Sequence, residues 1–325
     1  MKIVAISCLI LAAAACASTV PSESARNEAV ARRVFDEILS QGKFDLAAQL
    51  YAPDFVNHGR NRDVSLEVDQ AAARGWKQAS PDLVLRPEIV IAEGDRVAVL
   101  WRGRGTNTGS GNGIPATGKR VVGRGITIWR IVNGRVTEEW SEFSRLEMMQ
   151  QLGLVPGGEP VGPEWAEPRP IPRAKPGLSI EQRERNRRLV TSVFEQILGD
   201  GRTELARTNY ADSFANHGLR KDRTVQDQID TMRGLRQLAP DLNIKVTQSI
   251  ADGDLVAVVY VVEGTRTVAA PGYPATGKKF KARGMSIMRV GDGGRITDEW
   301  SMFDQSQMLE QSGMLPPAGA AKPPQ

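Results

Sequence analysis

The chain has 325 residues, of which 41% are hydrophobic and 25% are charged, and its formal net charge is +4. This is the composition of an ordinary globular protein, and the length corresponds to about two domains. The basic residues are scattered and form no dense run between aromatic residues, which argues against nucleic acid as a partner.

The N-terminus has the pattern of a secretory signal peptide, which we predict to cover residues 1–22. Lys2 precedes an apolar run over residues 3–15 that is too short to span a bilayer as a helix. Two processing routes fit the small residues that follow: a lipoprotein box in which Cys16 carries a lipid, or ordinary cleavage after Ala17. We prefer the first. The protein is then expected to be exported, as a cell-envelope lipoprotein or a periplasmic protein, with membrane contact only through the lipid.

The residue types available for chemistry are few. Cys8 and Cys16 are the only cysteines and both lie in the predicted signal region, so the mature chain has no disulfide and no Cys-based metal site. His58 and His217 are the only histidines, which argues against a His-rich zinc or iron site. The usage of cysteine and histidine therefore argues against a metal site built on these residues.

The sequence contains two copies of one unit. The two histidines lie 159 residues apart, and each is preceded by Asn and followed by Gly. Further motifs recur at nearly the same offset, including Pro-Ala-Thr-Gly-Lys at residues 115–119 and 274–278 and Glu-Trp-Ser at residues 139–141 and 299–301. We predict domains over residues 23–155 and 179–315, a Pro-rich linker over 156–178 and a disordered tail over 316–325.

Each unit is predicted to begin with helices and to end with strands. In the first copy, apolar residues at helical spacing predict a helix around residues 30–39, a short second helix after Lys43 and a third helix over residues 67–78. Alternating residues then predict long strands joined by an Asn133-Gly134 hairpin, followed by a closing helix. In the second copy, Ser179 opens the first helix with a capping box. The predicted class is α+β, with N-terminal helices packed on a curved antiparallel sheet.

Several motifs carry a resemblance to a known family. In the first copy they occupy residues 55–58, 81–83, 93–99, 105–109, 115–119 and 134–140, and the second copy repeats most of them. On these motifs the chain resembles the SnoaL-like polyketide cyclases of the nuclear transport factor 2-like superfamily. The resemblance implies two cone-shaped half-barrel domains, each enclosing an apolar pocket. It also implies cofactor-free chemistry, in which an Asp removes a proton from carbon and the resulting enolate closes a ring.

The family position of that Asp is occupied by Asp304 in the second copy and by Ser144 in the first. On a strand, Asp304 shares one face with Trp300 and Met302, and burial there would raise its pKa and suit it to proton abstraction. The same residue also opens an Asp-Gln-Ser-Gln segment, which is typical of a helix N-cap. Both interpretations stay open at this stage.

The other candidate acids and bases are His58, His217 and Glu142. Each histidine is either a general acid or base at the mouth of its pocket or a residue that caps the following turn. Glu142 is either a relocated acid of the first copy or a solvated rim residue. The candidate substrate-binding residues, which would line a pocket or fill the core, are Asn57, Asn216, Trp101, Trp140, Trp300, Phe55 and Phe214.

Three functions are compatible with the sequence. The leading hypothesis is a cofactor-free cyclase or isomerase that acts on a small, largely apolar, polyketide-like carbonyl compound, using Asp304 with His217 and, if the first copy is active, His58 with Glu142. The alternative is a non-catalytic envelope protein that binds a small apolar ligand in its domain pockets. A third hypothesis is a structural pseudo-dimer of the two domains within one chain.

Overall fold

The computed structural model describes residues 21–157, 171–219, 221–271 and 274–314. Cys16, nearly all of the predicted signal peptide, the greater part of the predicted linker and the predicted tail lie outside these residues. In the first domain the elements are α1 (Glu23–Arg33), α2 (Ala47–Leu50), β1 (Tyr51–His58), β2 (Asp63–Ser65), α3 (Leu66–Ala79), β3 (Val84–Glu93), β4 (Arg96–Thr106), β5 (Arg120–Val132), β6 (Arg135–Phe143) and α4 (Arg145–Leu152).

The second domain repeats this order without the short second strand. Its elements are α5 (Ile180–Ser192), α6 (Ala206–Asn209), β7 (Tyr210–Asn216), α7 (Val225–Leu238), β8 (Asn243–Asp252), β9 (Leu255–Thr265), β10 (Lys279–Val290), β11 (Ile296–Phe303) and α8 (Gln305–Gln311). In both domains the first helix continues as a π-helix, over Val34–Ser40 and Val193–Gly199.

Each domain has one open sheet with helices against it, which confirms the predicted α+β class. The strand order is β2-β1-β6-β5-β4-β3 in the first domain and β7-β11-β10-β9-β8 in the second. The long strands pair antiparallel as predicted, but β1 runs parallel to β6 and β7 runs parallel to β11. The chain reaches these two strands through the N-terminal helices, so their direction does not follow from the meander.

Local signals in the sequence explain several element ends. Ser179 accepts a hydrogen bond from the amide of Gln182 while the Gln182 side chain bonds back to Ser179, which is the predicted capping box. Asn133 and Gly134 adopt φ values of 51° and 75°, as the tight turn between β5 and β6 requires.

Both faces of each sheet are buried. One face packs under the helices of its own domain and forms the domain's own core. The other faces pack together and form an interdomain core, whose fully or nearly fully buried members are Ile89, Ile91, Ala98, Leu100, Ile126, Ile128, Ile250, Leu255, Ala257, Val259, Met285, Ile287, Trp300 and Met302. Along β4, Val97 and Val99 belong to the first-domain core, while Ala98 and Leu100 belong to the interdomain core. Successive residues of this strand therefore contribute to two different hydrophobic cores.

Polar contacts across this interface follow a twofold pattern. The Ala92 amide donates to Asp252 Oδ2 at 3.3 Å, and the Ala251 amide donates to Glu93 Oε2 at 3.0 Å. Glu93 and Asp252 occupy equivalent positions in the two copies. The described helices include none that is both long enough and apolar enough to cross a membrane.

Candidate functional site

An acidic group lies on the helix-facing side of the first-domain sheet. Glu139 on β6 pairs across the sheet with Trp129, a member of the first-domain core, and the Trp129 Nε1 donates to Glu139 Oε2 at 2.7 Å. Asn57 at the end of β1 approaches the other carboxylate oxygen, with Nδ2 3.4 Å from Oε1. Glu139 as a whole residue is partly accessible, whereas its carboxyl group is buried. Burial raises the pKa of Glu139 to about 8, and the charge of Asp69 adds to this effect.

Asp69 supplies the second carboxyl of this group, from α3. Asn57 Nδ2 donates to Asp69 Oδ1 at 2.7 Å, so one amide contacts both acids. Burial raises the pKa of Asp69, and the hydrogen bonds from Asn57 and Gln70 oppose the rise. Two carboxyl groups held close in a dehydrated setting resist simultaneous ionisation, which is the arrangement of an acid–base pair.

Further along the same face, polar side chains give way to aromatic ones. Trp101 Nε1 donates to Thr127 Oγ1 at 3.0 Å, and Thr127 Oγ1 lies 2.8 Å from Ser141 Oγ. The rings of Trp101 and Phe143 are 6.4 Å apart, and Trp76 of α3 meets Phe143 edge-on at 6.0 Å. This face therefore combines an acidic end, two hydroxyl groups and an aromatic end.

The equivalent position in the second domain has different partners. Glu299 is only 2% exposed, accepts a hydrogen bond from Ser286 Oγ at 2.9 Å and is also bonded to the Gln228 side-chain amide. Burial raises the pKa of Glu299 to about 7. Gln228 occupies the position of Asp69, so the second domain has one acid where the first has two. Its Asn216 bonds to Ser301 at 2.9 Å.

The two histidines lie on the other side of their strands, each stacked on a tryptophan. His58 is 4.5 Å from the Trp140 ring and bonds to Asp63 at 3.1 Å and to Glu138 at 3.0 Å. His58 therefore faces away from Asn57, its neighbour on the strand.

His217 repeats this arrangement at a distance of 5.0 Å from Trp300, with Asp298 at 2.8 Å and Asp222 at 3.3 Å. The hydrogen bond to Asp298 raises the pKa of His217. These contacts account for both ring nitrogens of each histidine without Asp304 or Glu142.

Asp304 lies between the domains. Its carboxylate accepts a hydrogen bond from the Gln307 amide at 2.9 Å, as an N-cap of α8 does, and pairs with the Arg60 guanidinium of the first domain. Ser306 Oγ adds a third bond at 2.7 Å, and Arg60 also contacts Glu310 at 2.9 Å. The bond from the Gln307 amide is the one expected of a helix N-cap. The role of Asp304 as a general base stays a prediction.

Glu142 also lies at the interdomain contact, only 6% exposed. Arg283 Nε donates to its carboxylate at 2.7 Å, and the same guanidinium donates to the His58 carbonyl oxygen at 2.6 Å. Arg124, the counterpart of Arg283, donates to the His217 carbonyl oxygen at 3.1 Å. Burial raises the pKa of Glu142 to about 7 although Arg283 opposes the rise. Glu142 is thus a buried interdomain ion-pair residue, and the expectation of a solvated rim residue is wrong.

Both domains match one known protein family in sequence. The profile of the SnoaL-like polyketide cyclase family matches residues 29–152 and again residues 188–312. The chain belongs to the SnoaL-like polyketide cyclase family. No curated protein matches the chain in sequence.

Solved structures of single domains resemble parts of this SnoaL-like chain. AclR from Streptomyces galilaeus is 26% identical, with a TM-score of 0.39, over 42% of this chain and 86% of its own. A SnoaL-like protein from Jannaschia sp. CCS1 is 26% identical, with a TM-score of 0.39, over 42% of this chain and 98% of its own. IdmH from Streptomyces antibioticus is 25% identical, with a TM-score of 0.36, over 39% of this chain and 98% of its own.

The predicted substrate-binding aromatic residues of this SnoaL-like protein fall into two groups. Phe55, Phe214 and Trp101 lie on the helix-facing sides, in or against the two domain cores. Trp140 and Trp300 lie in or against the interdomain core. Trp300 and Met302 share one face of β11 as predicted, and that face meets the other domain. Asp304 follows the end of the strand and is the N-cap of α8.

Sequence reasoning missed the carboxyl groups on the helix-facing sides, namely Glu139, Asp69 and Glu299. A signal for two of them was present, because Glu-Trp-Ser recurs in both copies and places Glu139 and Glu299 one residue from the tryptophans, on the opposite face. In the described ranges, no three His, Cys, Asp or Glu side chains group together as a metal site would require.

Proposed function

We propose that this SnoaL-like protein is a cofactor-free proton-transfer enzyme of the cyclase or isomerase type, and that its first domain acts on a small, largely apolar carbonyl compound. The observation that carries the proposal is the pair formed by Glu139 and Asp69, bridged by Asn57. A carboxyl with a pKa of about 8 is a far stronger base than an ordinary glutamate, and it changes its protonation state near neutral pH.

The chemistry that we propose is a reversible proton transfer from carbon. The ionised Glu139 takes the proton from the carbon next to a carbonyl group and the C–H bond breaks. Its electron pair forms a carbon–carbon double bond, and the π electrons of the carbonyl group move to the oxygen to give an enolate. Glu139 is then neutral, which is the form that burial favours. Asn57 positions the carboxyl through its side-chain amide, and burial together with the charge of Asp69 keeps the pKa of Glu139 high.

The aromatic side chains beyond the acid pair support an apolar substrate. Trp101, Phe143 and Trp76 lie along the same side of the sheet and offer flat apolar surfaces with partial exposure. Aromatic rings bury large areas of a flat ligand at low conformational cost.

The second domain is better suited to a non-catalytic role. Glu299 is enclosed, and Gln228 replaces the second acid. We therefore propose that the alternative function, binding of a small apolar ligand or support of the first domain, applies to this domain. Asp304 is held by Arg60 and by the α8 amide, which favours a structural role for the family position.

The test is hydrogen–deuterium exchange at carbon. Ethyl 2-methylacetoacetate has a single acidic C–H between two carbonyl groups, and NMR in D2O follows its loss. We expect Glu139→Gln to lower kcat/KM about 100-fold or more, because removing a general base costs on the order of 10²–10⁴. The matched variant Glu299→Gln should keep a kcat/KM within about twofold of the wild-type value. Retention of more than about a tenth of the wild-type rate by Glu139→Gln would exclude Glu139 as the base.

A further inference from the structure

Three side chains beside the acid pair, those of Trp101, Thr127 and Ser141, carry one more donor hydrogen than the hydrogen bonds among them use. The indole N–H of Trp101 can only donate, and it donates to Thr127 Oγ1 at 3.0 Å. The hydroxyls of Thr127 and Ser141 share one further bond of 2.8 Å, in either direction. In the part of the chain that the structure describes, three donor hydrogens thus serve two bonds among these side chains.

The spare hydrogen is available at Ser141. Thr127 is 3% exposed, whereas Ser141 keeps part of its surface accessible. When Thr127 donates to Ser141 Oγ, the Ser141 hydroxyl is free to donate to a bound molecule. Ser141 and Glu139 lie two residues apart on the same face of β6, roughly 7 Å along the strand. A carbonyl group and its neighbouring carbon can bridge this spacing with one contact at each end.

The second domain lacks this spare donor. Ser286, the counterpart of Thr127, donates to Glu299 Oε1 at 2.9 Å. Ser301, the counterpart of Ser141, exchanges hydrogen bonds with Asn216, with Nδ2 to Oγ at 2.9 Å and Oγ to Oδ1 at 3.3 Å. The equivalent hydroxyl hydrogens therefore already have acceptors within the protein.

We propose that the Ser141 hydroxyl, oriented by Thr127 and Trp101, is the hydrogen-bond donor that stabilises the enolate oxygen in the first domain. The inference rests on the proposed function, since the oxygen becomes charged only when Glu139 removes the carbon-bound proton. Ser141 gives no proton away: it donates a hydrogen bond to the oxygen that receives the electron pair, and it keeps its own O–H bond. A preoriented donor in a dehydrated site acts most strongly on charge that develops during the reaction.

The test compares Ser141→Ala with Ser141→Thr, in exchange of ethyl 2-methylacetoacetate. We expect Ser141→Ala to lower kcat about 10- to 100-fold with KM nearly unchanged, because a hydrogen bond to a charged group contributes about that much. Ser141→Thr should recover most of the rate, since it restores the hydroxyl. Ser301→Ala is the matched control in the second domain, and it should leave the rate unchanged.

Binding of 4-nitrophenol gives a second measurement that needs no turnover. Its phenolate oxygen mimics the enolate oxygen, and the absorbance band reports ionisation of the bound molecule. We expect Ser141→Ala to weaken binding of the phenolate form about tenfold, and Ser301→Ala to leave it unchanged. Equal rates and equal phenolate affinities in wild type and Ser141→Ala would overturn the inference. A large effect of Glu139→Gln in the same exchange assay would still leave the proposed function standing, so the two failures are distinguishable.

Discussion

Replacing Glu139 by Gln should change the stability of the protein in a pH-dependent way. The folded pKa of Glu139 is about 8, against 4.5 for an ordinary glutamate. Between these values the folded chain keeps a proton that the unfolded chain has lost. The contribution of Glu139 to the free energy of unfolding therefore falls by about 1.4 kcal/mol for each pH unit in this window. From pH 5 to pH 7 the loss from this one group is roughly 3 kcal/mol.

Glutamine has the shape of the neutral glutamic acid and does not ionise. The variant should therefore match the wild type within about 1 kcal/mol at pH 5 and become more stable than it by about 1.4 kcal/mol per unit above that. Urea unfolding followed by tryptophan fluorescence at pH 5, 6, 7 and 8 measures the difference. Glu299→Gln should follow the same trend but level off near pH 7, since the pKa of Glu299 is about 7. A difference between wild type and Glu139→Gln that is constant from pH 5 to pH 8 would refute the reasoning.

Two further substitutions test the packing and the interdomain contact. Gly125→Ala should lower stability by about 1–3 kcal/mol, because a Cβ there would lie 2.2 Å from the Trp101 ring. Gly123→Ala is the control and should be nearly neutral, because its Cβ would have no neighbour within 4 Å. Thermal unfolding compares the two variants, and equal melting temperatures would contradict the packing around Gly125. Arg60→Met should cost about 3–5 kcal/mol because it leaves the buried Asp304 carboxylate without its cation, and adding Asp304→Asn should restore part of this loss. If the losses of unfolding free energy in the two single variants simply add up in the double variant, the ion pair contributes nothing to stability.

The sequence predicts the architecture well because its signals are local. The helix at Ser179 begins where its capping box indicates, and the turn at Asn133-Gly134 joins the two strands that its chemistry requires. Alternation along β11 correctly assigns Trp300 and Met302 to one face. What alternation cannot supply is the identity of that face. Here both faces of each sheet are covered, one by helices and one by the other domain, and both select apolar residues.

The site was harder to predict for a related reason. Glu139 beside a tryptophan on a strand is typical of a solvated position, and only the fold brings Asp69 of α3 and Asn57 of β1 against it. The contrast between Asp69 and Gln228 becomes informative only when their neighbours Glu139 and Glu299 are known. The repeat itself contained the clue, because both copies keep the glutamate while the side chain facing it changes.

The most direct test of the account is the ratio of carbon-exchange rates in Glu139→Gln and Asp304→Asn, each measured against wild type with ethyl 2-methylacetoacetate. An acid pair in the first domain predicts a loss of about 100-fold or more for Glu139→Gln and about twofold or less for Asp304→Asn, once both proteins are shown to be folded. The reverse order, with exchange abolished by Asp304→Asn and preserved by Glu139→Gln, would contradict the account and return the base to the family position.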